Sequence, residues 1–170
     1  VFSRFFENIP DYPHCTDHLE AGCRQCPKRV AIKRRYLEFN KPSYSQTYLT
    51  FDCDYEGAGL AWSDYDLPTP TFVAINPQNA HAHLSYELSK PVHLGGNASF
   101  SAIRYLDVIR KGYIRKLGAD PTFGELLAKN PLSDCWEVLF WNVRYELDQL
   151  AEPLREISTE ELLSIPLLEF

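Results

Sequence analysis

Tyr48-Leu49-Thr50-Phe51-Asp52-Cys53-Asp54-Tyr55 is a β-prone run carrying two carboxylates one residue apart. In a strand, residues i and i+2 project from the same face, so Asp52 and Asp54 are expected side by side. Like charges that close raise each other's pKa unless a cation or hydrogen-bond donors lie between them. A strand-borne Asp-x-Asp therefore suits a divalent cation, which prefers hard oxygen ligands. The same residues would also serve a plain strand running out into a solvated turn.

A second chemistry-bearing run is Ala80-His81-Ala82-His83-Leu84-Ser85-Tyr86-Glu87-Leu88. Alternation puts His81, His83, Ser85 and Glu87 on one face of a strand and Ala82, Leu84, Tyr86 and Leu88 on the other. Thr71-Phe72-Val73-Ala74-Ile75 reads as a buried strand, and Asn76-Pro77-Gln78-Asn79 breaks it with turn residues. The two strands form a hairpin expected beside the Asp-x-Asp strand. Two chemistries fit. In one, the carboxylates hold divalent metals while a histidine contacts nucleotide phosphates. In the other, His81 and His83 are a metal pair like that of rolling-circle nicking endonucleases, with Tyr105 or Tyr113 of the following helix as nucleophile.

These runs need a scaffold, and the composition supplies one. With 170 residues, 45% of them hydrophobic and 14% aromatic, the chain can bury the core of one globular domain. The net charge of −6 excludes a uniformly basic nucleic-acid binder but leaves room for a local basic groove. No apolar run approaches the ~18 residues that span a bilayer, no signal peptide is evident, and no membrane partner is expected. The chain starts at Val1 and holds no Met, so it is expected to be trimmed from a longer protein.

Arg24, Lys28, Arg29, Lys33, Arg34 and Arg35 crowd one short segment, read as a helix from about Lys28 to Phe39 entered after Pro27. Its cations suit either a solvated face or a phosphate backbone. Cys23-x-x-Cys26, with Cys15, His14 and His18 nearby, has zinc-ligand spacing but no second paired half, so zinc is left out. The five cysteines read as reduced thiols of the cytoplasm. A long helix is expected from Ser99 to Leu117, closed by Gly118, with Ile103, Leu106, Ile109, Tyr113 and Leu117 facing the sheet. A short helix or turn is expected over Gly124 to Lys129, a strand over Trp136 to Trp141, and a helix over Glu146 to Leu154.

Phe51-Asp52-Cys53-Asp54, Trp62-Ser63-Asp64, Asn76 through Leu84, Tyr86-x-Leu88, Pro91-Val92, Leu117-Gly118-Ala119-Asp120 and Lys129-Asn130-Pro131, with Trp136 beyond, resemble in order the plasmid replication initiator primases of the colicin-E-plasmid type. That family belongs to the archaeo-eukaryotic primase superfamily, and the likeness spans roughly residues 10 to 155. It implies an α+β fold with an RRM-like catalytic antiparallel sheet packed with helices, beside a small N-terminal α/β unit. It implies template-directed primer synthesis using two Mg²⁺ or Mn²⁺ ions. Asp52 and Asp54 would be metal ligands, with Asp120 as third carboxylate and Asp107 and Asp134 as rivals. His83 first and His81 second would contact the incoming nucleotide, and Lys129 would bind triphosphate or template. Ala80 departs from the glycine expected before the first histidine.

The implied partners are plasmid origin DNA as template, nucleoside triphosphates and a host DNA polymerase, in a bacterial cytoplasm. Residues 1–155 would be the catalytic domain alone and 156–170 an acidic tail, without the origin-binding region of whole initiators. A non-catalytic RRM-like nucleic-acid-binding module is the remaining alternative, and it needs exposed aromatics on the sheet.

Overall fold

The computed structural model describes residues 2–41, 44–158, 160, 161 and 164. Most of the acidic stretch expected after residue 156 lies outside the described residues. The chain builds two four-stranded antiparallel sheets. The larger is ordered β4 (Ser45–Cys53), β6 (Ala82–His93), β5 (Phe72–Ile75), β8 (Glu137–Phe140). The smaller is ordered β2 (Arg24–Gln25), β1 (His14–Thr16), β3 (Tyr36–Leu37), β7 (Ala128–Lys129). Helix α1 (Ser3–Asn8) and the short α2 (Lys28–Ala31) accompany the smaller sheet, α3 (Ala61–Asp64) links β4 to β5, and α4 (Phe100–Leu117) and α5 (Leu147–Ala151) follow β6 and β8. This mixed α+β arrangement is the fold class the sequence led us to expect.

The larger sheet buries both faces. On one, Leu49, Phe51, Val73, Leu84 and Tyr86 pack against Leu106, Ile109, Tyr113 and Leu117 of α4. Each such side chain removed from water contributes roughly 1.5–3 kcal/mol. Helix α4 starts where Ser99 Oγ accepts the Ala102 N–H and ends at Gly118, whose φ of 60° is left-handed. At Gly112 the helix nears Leu154 so closely that an added Cβ would sit 2.5 Å from its Cδ1. The other face carries Tyr48 and Phe72, which join Phe5 and Phe39 in a cluster of edge-to-face rings under the N-terminal unit.

Three local expectations need correction. The helix read from Lys28 to Phe39 stops at Ala31, and Tyr36–Leu37 pairs instead between β1 and β7. Leu37, Glu38 and Phe39 are all buried, and only an extended chain lets Leu37 and Phe39 reach the core while pairing with both neighbours. The turn read over Gly124 to Lys129 ends in strand β7, a ladder rung supplied by distant β3. Strand β6 also runs through Pro91 to His93 rather than stopping at Leu88.

Candidate active site

Strands β4 and β6 pair in the register Asp52↔His83 and Cys53↔Ala82. Asp52 and His83 therefore stand opposite each other near one end of the sheet. Asp54 lies one residue past β4 and His81 one residue before β6, and they meet at the rim, His81 Nδ1 to Asp54 Oδ1 at 3.1 Å. Asx turns position His81: Gln78 N–H donates to Asn76 Oδ1 and His81 N–H to Asn79 Oδ1, each at 3.0 Å. Ala80 within this turn has φ 58°. The backbone thus has the left-handed conformation that favours glycine, which is why Ala80 stands out against the family pattern.

His83 is only 4% exposed. The Lys129 N–H of β7 donates to its Nδ1 at 3.1 Å, which leaves the ring proton on Nε2. Nε2 faces Asp52 Oδ1 at 3.0 Å, but off the line of a hydrogen bond, so this buried oxygen has no aligned partner. Phe123 closes over the ring, centroids 4.9 Å apart. Burial pushes the His83 pKa down, against the pull of Asp52. Burial pushes the Asp52 carboxyl up, but His83 and Lys129 outweigh it and hold it below the usual carboxylate range. Lys129 Nζ lies 3.9 Å from the same oxygen, and burial lowers its pKa while Asp52 opposes the shift. The site thus contains a half-buried carboxylate with one shielded oxygen, a neutral imidazole and a partly compensated ammonium.

Asp120 reaches the site through its backbone. Its N–H donates to the Asp52 carbonyl at 2.8 Å, while its Oδ1 accepts from the Thr122 amide and hydroxyl. The rival acids lie elsewhere: Asp107 pairs with Lys111 on α4 at 3.1 Å, and Asp134 is an exposed loop residue. So Asp52, Asp54, His81, His83 and Lys129 converge, and Asp120 adjoins them with its carboxylate turned to Thr122.

A divalent ion can be tested against these donors. The unpartnered Asp52 Oδ1 and the Asp54 carboxylate, 62% exposed in its side chain, are the hard oxygens such an ion takes. Among the described residues no three His, Cys, Asp or Glu side chains form a ready-made metal cluster. That fits Mg²⁺, which is held by one or two carboxylates with water and substrate phosphates completing its shell. The donor set fits.

The alternatives gain little from the geometry. Tyr113 is fully buried in the core, and the Tyr105 hydroxyl donates to Asp148 at 2.8 Å. The sheet face bearing Asp52 is covered by the N-terminal unit rather than open for base stacking. Cys15 and Cys26 are buried, and among the described residues they join no group of three metal-ligating side chains. The basic segment partly spends its charge, with Lys28 on Asp11 and Arg34 on Asp17.

The two-sheet fold is similar to that of a solved primase-polymerase domain. The chain matches the AEP domain of the cyanophage S-2L primase-polymerase (PrimPol) with a TM-score of 0.56 over 84% of this chain and 87% of that one, at 12% identity. The chain belongs to the Replicase family, whose model matches residues 8–154. No curated protein matches it.

Proposed function

We propose that this protein is a primase, a nucleotidyltransferase that builds a short primer on a DNA template. The observation that carries the reading is the Asp52 carboxylate beside Asp54. Its Oδ1 is shielded from water and approached by His83 Nε2 at 3.0 Å and Lys129 Nζ at 3.9 Å without a well-aligned hydrogen bond. Family membership and the primase-polymerase likeness support it. Asp52 and Asp54 would hold divalent ions, Mg²⁺ or Mn²⁺, which when bound supply Lewis-acid activation of the primer hydroxyl and charge neutralisation at the departing pyrophosphate. Asp120 would be the third carboxylate, its backbone joined to Asp52 and its side chain bonded to Thr122.

The geometry favours dividing the roles of the histidines. His83, buried and fixed through Nδ1 by the Lys129 amide, orients Asp52. His81, at the rim beside Asp54, is the imidazole placed to meet a phosphate. Lys129 offers a point charge to the same anion. Origin DNA as template and a host polymerase as successor follow from the resemblance to plasmid initiators. Among the described residues no helix is long and apolar enough to cross a membrane.

The test is oligonucleotide synthesis on single-stranded DNA with nucleoside triphosphates and Mg²⁺ or Mn²⁺. The double variant Asp52→Asn/Asp54→Asn should lose synthesis while keeping the wild-type circular dichroism spectrum. Synthesis at the wild-type rate by that folded variant would sink the assignment.

A further inference from the structure

Arg35, Tyr36 and Trp136 flank the site on the side of Lys129, and the roles assigned so far use none of them. Tyr36 is in register with Lys129, so the two side chains share one face of the smaller sheet. Trp136 stands behind them, 5% exposed, its ring 5.3 Å from that of Tyr36 and its indole N–H donating to the Arg35 carbonyl at 2.9 Å. The Arg35 guanidinium lies over this indole at 5.0 Å, and the Lys129 ammonium stands 5.9 Å from the same ring. One aromatic side chain therefore has two cations against it, and one of them, Lys129, reaches Asp52, Nζ to Oδ1 at 3.9 Å.

Arg35 differs from its basic neighbours in lying over the Trp136 ring that Lys129 also approaches, and unlike Arg34 its guanidinium is not held by a carboxylate among the described residues. Arg34 is bound to Asp17 at 2.7 Å, and that carboxylate takes only the backbone N–H of Arg35. Among the described residues no carboxylate forms an ion pair with the Arg35 guanidinium, and its buried Nε has no hydrogen-bond partner. Lys129, in contrast, is already partly compensated by Asp52. A nucleoside triphosphate carries several negative charges, more than one compensated ammonium can meet.

We propose that Arg35, held over Trp136, is a second phosphate-binding cation of this site and grips the triphosphate of the incoming nucleotide alongside Lys129. The proposal rests on the primase reading and deepens it. A planar guanidinium binds phosphate bidentately, and stacking on a buried indole fixes its orientation before the ligand arrives. Trp136 is then a positioning residue, acting through Arg35.

Isothermal titration calorimetry on the full chain, with a nucleoside triphosphate and the matching monophosphate in Mg²⁺, tests this. Arg35→Ala should weaken triphosphate binding roughly 10- to 100-fold and leave monophosphate and single-stranded DNA binding unchanged. Arg35→Lys should recover part of the loss, and the milder Trp136→Phe should raise KM for nucleotide while kcat holds. Wild-type triphosphate affinity in Arg35→Ala would overturn the proposal, as would a loss that falls on single-stranded DNA instead. Failure of the wild-type protein to bind any triphosphate would overturn the primase reading itself.

Discussion

One face of the larger sheet holds two carboxylates, the buried Glu87 midway along β6 and the half-buried Asp52 near the end of β4, and the two are treated in opposite ways. Glu87, 4% exposed, accepts from Arg4 Nε at 2.7 Å and from Asn8 Nδ2 at 3.2 Å, and Asn8 also reaches the Tyr48 hydroxyl. Its own N–H donates to Thr71 Oγ1 at 2.7 Å. Asp52 sits among His83, Lys129 and Asp54, yet its Oδ1 lacks an aligned donor. A buried charge that is fully hydrogen-bonded belongs to the scaffold, whereas one left short of partners costs stability and persists where something else completes it. Glu87 ties α1 to the sheet. The Asp52 end is the one where the proposed divalent ion would complete the set.

Substitutions should separate the two carboxylates. The largest effect is expected for Asp52→Asn, which should lower primer synthesis roughly a hundredfold to a thousandfold and leave the thermal midpoint unchanged or higher. A matching drop in both activity and midpoint would mean Asp52 is structural. Glu87→Ala should do the reverse, costing about 3 kcal/mol in urea unfolding, since Arg4 and Asn8 lose their shared acceptor. Activity per folded molecule should hold.

Smaller effects sharpen the contrast. Ala80→Gly relieves a left-handed backbone at the histidine turn and should raise stability by up to about 1 kcal/mol, less the entropy glycine gains when unfolded; a lower midpoint would show the turn is unstrained. The smallest effect is at the surface. Asp17 is held below the usual carboxylate range by its bond to Arg34. A depressed folded pKa gives stability present above the unfolded value, about 3.9, and lost as pH falls through the folded one. Arg34→Gln should therefore lower the midpoint slightly near neutrality and meet the wild-type curve at acid pH, which flattens the acid limb of a midpoint-against-pH curve.

The readable parts of this molecule were those fixed locally. Asp52-x-Asp54, the hairpin through Asn76, and α4 with its Ser99 cap and Gly118 stop are set by period and turn chemistry within a few residues. Strands β3 and β7 hold two residues each, too short for any period, and they exist because Tyr36 and Lys129 meet across the fold. Alternation put Ser85 and Glu87 with His83, but it could not say that α1 and the smaller sheet would cover that face. Arg35 looked like one more cation on a helix because its distinction, the indole of Trp136, comes from far along the chain.

The central claim is that Asp52, unlike Glu87, takes a cation. Mn²⁺ titration followed by electron paramagnetic resonance on wild type, Asp52→Asn/Asp54→Asn and Glu87→Gln tests it directly. The account predicts that the double variant loses the bound Mn²⁺ population while Glu87→Gln retains it. Equal Mn²⁺ binding by wild type and the double variant would contradict it.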